Sequence, residues 1–369
     1  MGPYPSLAVV TARTPVGRDR AIDVLRIASL IVVITGHGLM ALITLDGDSL
    51  RLGNLLGLSW YLQLLTWLLQ VMPLFFFAGG ASSALSYKAG TDWGSWLLGR
   101  VQRLYRPVFY YLAFWVVALV ILHAVLPFGV YEPVAGISVQ LLWFLGVYVL
   151  VLACVPLLLR VRSGRDVAMV LVALGVCVAV IDTVRLRGGP GQLGLLNFVL
   201  VWLIPAVLGV AYVRRLVPRG AALVLAAAAL VIDIGLATIG PYEVSLVTVP
   251  GQELSNMTPP SLLLAGHCIV LSALAIAVAP WLNRLASNAR VWWFVAVGNS
   301  GAMTLYLWHL PALLVVFGVS HMLGHDRSDM AQPGFWLLVI VQMVAFYVVT
   351  AALFTLLLPV ENLPLPWWD

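Results

Sequence analysis

The sequence predicts an all-α, polytopic integral membrane protein with about ten transmembrane helices and both termini cytoplasmic. Three observations carry that expectation. The 369 residues are 62% hydrophobic and 9% charged, with a mean hydropathy of +1.02, far above what the core of a soluble domain needs. Apolar runs of spanning length recur from one end of the chain to the other. Lysine and arginine gather in every second connection between those runs.

A spanning helix needs roughly 20 mostly apolar residues. The first run to meet that rule, 22–45, follows a charged leader and carries Arg26 and His37. The second and third, 58–86 and 106–126, hold Pro73 and follow Pro107's basic neighbourhood respectively. The fourth to sixth are 137–159 with Pro156, 167–184, and 195–213 with Pro205. The seventh, 220–240, encloses Asp233, and the eighth, 260–281, encloses His267. The ninth, 292–320, carries His309 and Pro311, and the tenth is 334–360. Prolines within such runs are tolerated because neighbouring groups satisfy the freed carbonyls, so kinks are expected at Pro73, Pro156, Pro205 and Pro311.

Alternation across ten helices puts 16 of the 20 Lys and Arg residues on the side of the N-terminus and leaves Arg51, Arg185, Arg187 and Arg327 opposite. The positive-inside bias then makes both termini cytoplasmic. The net charge of +5 reports this topology and not nucleic-acid binding. No cleavable leader is expected, because the first run is long and lacks a small-residue cleavage pattern. No linker-like stretch divides the chain, so residues 1–369 read as one membrane domain with a cytoplasmic segment at 1–20 and no appended soluble domain. Cys154, Cys177 and Cys268 all fall in apolar runs and read as packing residues. The longest outer segment, 241–260, is placed to fold over an external opening.

An ionisable side chain at membrane depth marks a functional site unless it snorkels from a helix end. Arg26, with Asp23 one turn back to pair with it, fits either role. His37 lies eleven residues on, about three turns or about 16 Å, so both project from one helix face. An imidazole suits proton transfer near neutral pH and a guanidinium suits phosphate. The stretch WGSWLLGRVQRLYRP (93–107) spaces Arg100, Arg103 and Arg106 every third residue among aromatics, as in a short interfacial helix ending at Pro107. An ordinary positive anchor has the same pattern. In GNSGAMTLYLWHLP (298–311), Tyr306 sits one turn before His309 on its face. Asp233 and His267 lie in no motif. His321 and His325 are spaced i, i+4 without a third ligand, so they read as a solvated loop, and no metal site is expected.

Five motifs in order resemble the acyltransferase family 3 membrane proteins. They are Arg26 followed by ten residues and His37, FFFAGG (75–80), Arg103-Leu104-Tyr105-Arg106 before Pro107, LWFLGVYVL (142–150), and LYLWH (305–309). The turn after the Phe run reads Ala-Gly-Gly where Ser-Gly is common, so no hydroxyl role is expected there. The resemblance implies an enzyme that takes an acyl group, usually acetyl, from cytoplasmic acyl-CoA. The acceptor it implies is a hydroxyl on a sugar, glycan, glycolipid or small molecule. It implies His37 as the essential histidine with Arg26 as its helix partner, and Arg103 and Arg106 on the CoA side. Tyr306 and His309 are further candidates for contact with substrate. No permanently bound cofactor is expected, and the remaining partner is the lipid bilayer.

A thioester is already activated, so such an enzyme chiefly needs a base for the acceptor hydroxyl and donors for the developing oxyanion. His37 fits the base, and a covalent acyl-histidine route has the same requirement. A proton-coupled transporter is the competing expectation, with His37, His309 and Asp233 as a relay. Matched pairs of broken half-helices, which mark many transporters, are not seen in the sequence. A non-catalytic scaffold would have no use for Arg26 and His37.

Overall fold

The computed structural model describes residues 4–363 apart from 89, 253, 328 and 329. Among the described residues, ten helical stretches are long and apolar enough to cross a membrane. In chain order the helices are α1 (Leu7–Arg13), α2 (Arg20–Met40), α3 (Trp60–Leu69), α4 (Met72–Ser86), α5 (Trp93–Val125), α6 (Phe128–Gln140), α7 (Leu142–Ala153) and α8 (Val155–Leu158). They continue as α9 (Gly164–Leu186), α10 (Asn197–Val213), α11 (Arg219–Thr238), α12 (Leu262–Leu285), α13 (Ala289–Ser300), α14 (Ala302–Met322) and α15 (Phe335–Leu357). The molecule is an all-α, multi-pass membrane protein.

Several helices differ in detail from their sequence expectations. The first spanning helix stops at Met40 and not near 45, because Ala41–Asp46 (β1) and Ser49–Asn54 (β2) pair as an antiparallel hairpin. Its two-residue turn, Gly47-Asp48, places Gly47 at φ 58°, a conformation that favours glycine. The run expected at 58–86 divides into α3 and α4 at Gln70 and Val71, and Pro73 opens the second piece where its missing N–H costs nothing. Pro156 likewise opens α8. Pro205 and Pro311 lie inside unbroken helices. Pro107 does not end the basic stretch either. Helix α5 runs through it for 33 residues, about 50 Å, longer than the hydrocarbon core is thick. The ninth run divides into α13 and α14 at Gly301, which lies so close to Phe354 and Leu358 that a Cβ would collide with them.

The helices sort into an inner and an outer set. Helix α12 is buried along most of its apolar length and α5 along little of it, so α5 belongs to the outer layer. Inner helices α4 and α10 approach closely because Gly80 lies against the Ala206 backbone and Gly209 against Phe77. Phe76 stacks on Trp202 beside them, ring centroids 4.7 Å apart. Helix α2 packs among α4, α12, α13, α14 and α15. Its N-cap, Asp19, accepts from the Ala21 N–H, the Tyr212 hydroxyl and Asn283 Nδ2, which ties the start of α2 to the ends of α10 and α12.

The segment between α11 and α12 folds back over the hairpin end of the bundle. Leu246 receives a bond from Gln70 Nε2 at its carbonyl and donates its N–H to Thr66 Oγ1. Trp67 Nε1 donates to the Val244 carbonyl. Val249 joins a small core with Met40, Leu55, Leu56 and Phe335. Of the three cysteines, which are all unpaired, Cys268 is buried and packs as expected, whereas Cys177 is exposed on α9.

Candidate active site

The structure brings His37 and His309 together. His37 sits in the last turn of α2, nearer the helix end than a helix to 45 would place it, because the hairpin takes over at Ala41. Its Nδ1 lies 2.9 Å from His309 Nε2 on α14, with the rings 5.1 Å apart and 25° from parallel. His309 is fully buried at 0% exposure. His37, by contrast, presents accessible surface. The pair therefore has one sealed member and one open member.

Hydrogen-bond roles follow from the acceptor at the closed end. His309 Nδ1 lies 3.2 Å from the Leu305 carbonyl, which can only accept, so that nitrogen carries the hydrogen. In the neutral pair His309 Nε2 is then the acceptor and His37 Nδ1 the donor. The lone pair of His37 falls on Nε2, and no described residue bonds it there. Tyr306 packs near His309, ring centroids 6.2 Å apart. Its hydroxyl donates to the Leu141 carbonyl at 2.7 Å, at the break between α6 and α7. That hydroxyl is engaged with the backbone, and the Tyr306 side chain is buried beside the pair.

Arg26 pairs with Asp23 as the sequence suggests, but Asp23 is shared with a closer partner. Asp23 pairs with Arg18 through two short bonds, 2.7 and 3.0 Å, while Arg26 Nη1 stands 3.7 Å from it. Arg26 reaches with Nη2 to Ser82 Oγ on α4 at 3.4 Å and keeps 30% of its side chain exposed. A cavity of about 390 Å³ opens beside it between α1, α2 and α13, with Arg13, Arg18, Trp292 and Asn299 on its walls.

Within the basic stretch of α5, Arg100 turns toward α4. Its Nη2 donates to Ser86 Oγ at 2.5 Å and to the Ser82 carbonyl at 3.2 Å, and it lies within electrostatic range of Arg26 and Arg103. Arg103 is exposed and bonds the Gly99 carbonyl of its own helix at 3.2 Å. Arg106 is half-buried. Arg26 and Arg100 thus converge on Ser82 and Ser86, at the C-terminal end of α4. The signal for this was present in the three-residue spacing, which does not reveal which arginine faces inward.

The other candidates stand apart. Asp233 on α11 rests against Gly266 of α12, where any Cβ would collide with it, and both its oxygens lack a hydrogen-bond partner among the described residues. His267 on α12 lies edge-on to Trp67, 6.0 Å away. Neither is bonded to the histidine pair. His321 is in the last turn of α14 and pairs with Asp326 at 2.8 Å, so it is a helical residue and not a loop one, though its side chain is exposed as expected. Among the described residues no cluster of His, Cys, Asp and Glu could hold a metal ion.

Comparison with known families gives one result. A family model described as "Acyltransferase domain" matches residues 19–358, nearly the whole chain. No curated protein matches the sequence, and no solved structure matches it.

Proposed function

This chain belongs to acyltransferase family 3, and we propose that it is an acyl-CoA-dependent O-acyltransferase of the cell membrane. It moves an acyl group, acetyl first among them, from cytoplasmic acyl-CoA to a hydroxyl on a sugar, glycan, glycolipid or small-molecule acceptor. The observation that supports this best is the His37–His309 bond, which leaves His37, a residue with accessible surface, with its basic nitrogen unbonded among the described residues. His37 Nε2 takes the acceptor's hydroxyl proton as that oxygen bonds to the thioester carbonyl carbon. Collapse of the tetrahedral species breaks the C–S bond, and the imidazolium returns the proton to the departing sulfur. An ester and free CoA result. His309 touches no substrate in this scheme. It holds the His37 tautomer and spreads the charge that His37 gains.

Arg26 and Arg100, with Arg103 and Arg106 farther along α5, are the phosphate-side groups. Guanidinium forks suit phosphate oxygens. About 16 Å separates Arg26 from His37 along α2, within reach of an extended pantetheine arm. The transporter reading loses its relay, because Asp233 makes no bond to either histidine.

The direct test supplies purified protein in proteoliposomes with radiolabelled acetyl-CoA and a panel of hydroxyl acceptors. Label appearing in an acceptor with wild type and not with His37→Ala supports the reading; no transfer from any acyl-CoA would refute it. Orientation is tested separately. In a background lacking Cys154, Cys177 and Cys268, a cysteine placed at 160–166 should resist an impermeant thiol reagent in intact cells, and one at 241–252 should react. The reverse pattern would invert the proposed topology.

A further inference from the structure

The geometry points to Arg327 as a positioning residue that sets the His37–His309 alignment from outside the site. Arg327 lies in the connection between α14 and α15, and only 1% of it is exposed. Its Nη1 donates to the carbonyls of Gly38, Leu39 and Ala41, at 2.9, 3.3 and 3.1 Å. These oxygens belong to the last turn of α2 and its C-cap, where the helix has run out of its own donors. They begin one residue after His37. A cation at that place also complements the negative end of the helix dipole. Burial pushes the guanidinium down to about 10, which still leaves it a cation at neutral pH.

The other side of the guanidinium is tied to the two neighbouring helices. Nε donates to Gln342 Oε1 on α15 at 2.5 Å, and the plane lies over the Phe317 ring of α14, 4.8 Å from its centroid. Gln342 in turn donates to Ser320 Oγ on α14 at 2.6 Å. One side chain therefore joins the end of the helix carrying His37 to the helix carrying His309. Asp19 pins the opposite end of α2, so the rotation of α2 about its axis is fixed at both ends. Gly38 has no room to compensate, since a Cβ there would meet Phe346 at 2.7 Å. Without Arg327 the last turn of α2 loses three acceptors' partner, and the His37 ring loses its fixed approach to His309.

This inference rests on the acyl-transfer reading for its kinetic consequence but not for its structural one, so two measurements separate them. In the first, steady-state transfer from acetyl-CoA should show kcat reduced at least about tenfold in Arg327→Gln, with KM for acetyl-CoA little changed, because misplacement of a reacting group acts on the chemical step. Arg327→Lys should recover part of the loss, since an ammonium still reaches the carbonyls but cannot also bond Gln342. In the second, which needs no enzymatic activity, the rate of carbethoxylation by diethyl pyrocarbonate is read residue by residue by mass spectrometry. His37 should depart from its wild-type rate in Arg327→Gln, and exposed His123 on α5 should not. If Arg327→Gln fails to insert, Gln342→Met carries the same two expectations. Wild-type kcat and wild-type His37 reactivity in folded variants would overturn the assignment. An inactive wild type whose His37 reactivity still responds to Arg327 would refute the acyl-transfer reading and leave the positioning role standing.

Discussion

His37 and His309 share a hydrogen bond across α2 and α14, and one of them is accessible, whereas Asp233 is sealed between α11 and α12 with neither oxygen bonded. Both regions place ionisable side chains within the apolar bundle. Only the first arranges them so that one nitrogen is oriented and reachable. A buried polar group without a partner costs about 1–3 kcal/mol, and the Asp233 carboxyl meets that condition while gaining no access to a ligand. Depth in the membrane therefore does not identify a catalytic group here. Orientation by a neighbour together with accessible surface is what sets the proposed base, His37, apart.

The largest effect that sharpens the contrast belongs to His37. In the folded His37→Ala protein kcat should fall by at least about a hundredfold, the lower range of general-base contributions, while acyl-CoA binding measured by calorimetry stays near wild type. His309→Phe keeps a ring but removes the acceptor for His37 Nδ1, so kcat should fall by about ten- to a hundredfold through loss of orientation. A His309→Phe protein with unchanged kcat would show that His37 acts alone and would weaken the contrast with Asp233.

Much of the fold is legible in the amino-acid sequence. Ten spans, the two histidines, Arg26 and the basic stretch of α5 were legible because apolar run length and intramembrane polar residues are local signals. The bond between His37 and His309 was not, since it joins residues 272 apart and no periodicity encodes it. The early end of α2 was written in Asp46-Gly47-Asp48, a hairpin turn signal overridden by the apolar run before it. Arg327 counted only as a minority cation in an outer loop, because its acceptors lie 286 to 289 residues away. The approach of Arg100 to α4 is not encoded locally either, because spacing along one helix does not say which side meets its neighbour.

The arginines near α4 should yield a smaller and different effect. If Arg26 and Arg100 hold donor phosphates as proposed, Arg26→Ala and Arg100→Ala each remove a charge-assisted contact worth about 1.5–3 kcal/mol, so KM for acyl-CoA should rise about tenfold or more with kcat less affected. Arg103→Lys keeps the charge at an exposed position and should shift KM less than either. Should Arg103→Lys weaken acyl-CoA binding more than Arg100→Ala, the phosphate contact lies on the outer side of α5 and not at Ser82 and Ser86.

The smallest effect is expected at Asp233, and it bears most directly on the comparison. Asparagine matches aspartate in shape, so Asp233→Asn keeps the close fit against Gly266, which tolerates no added atom on either side. Because no hydrogen bond is made by either carboxyl oxygen, the substitution breaks none. Transfer activity should stay within about twofold of wild type and the unfolding temperature should change little, as for a site that touches no partner of the reaction. The double variant His37→Ala with Asp233→Asn should then be no less active than His37→Ala alone, since the two positions share no contact. A folded Asp233→Asn protein that loses about a hundredfold in kcat would place Asp233 in the proton path after all. The distinction between an oriented, accessible pair and a sealed, unbonded carboxyl would then fail as a guide to function in this bundle.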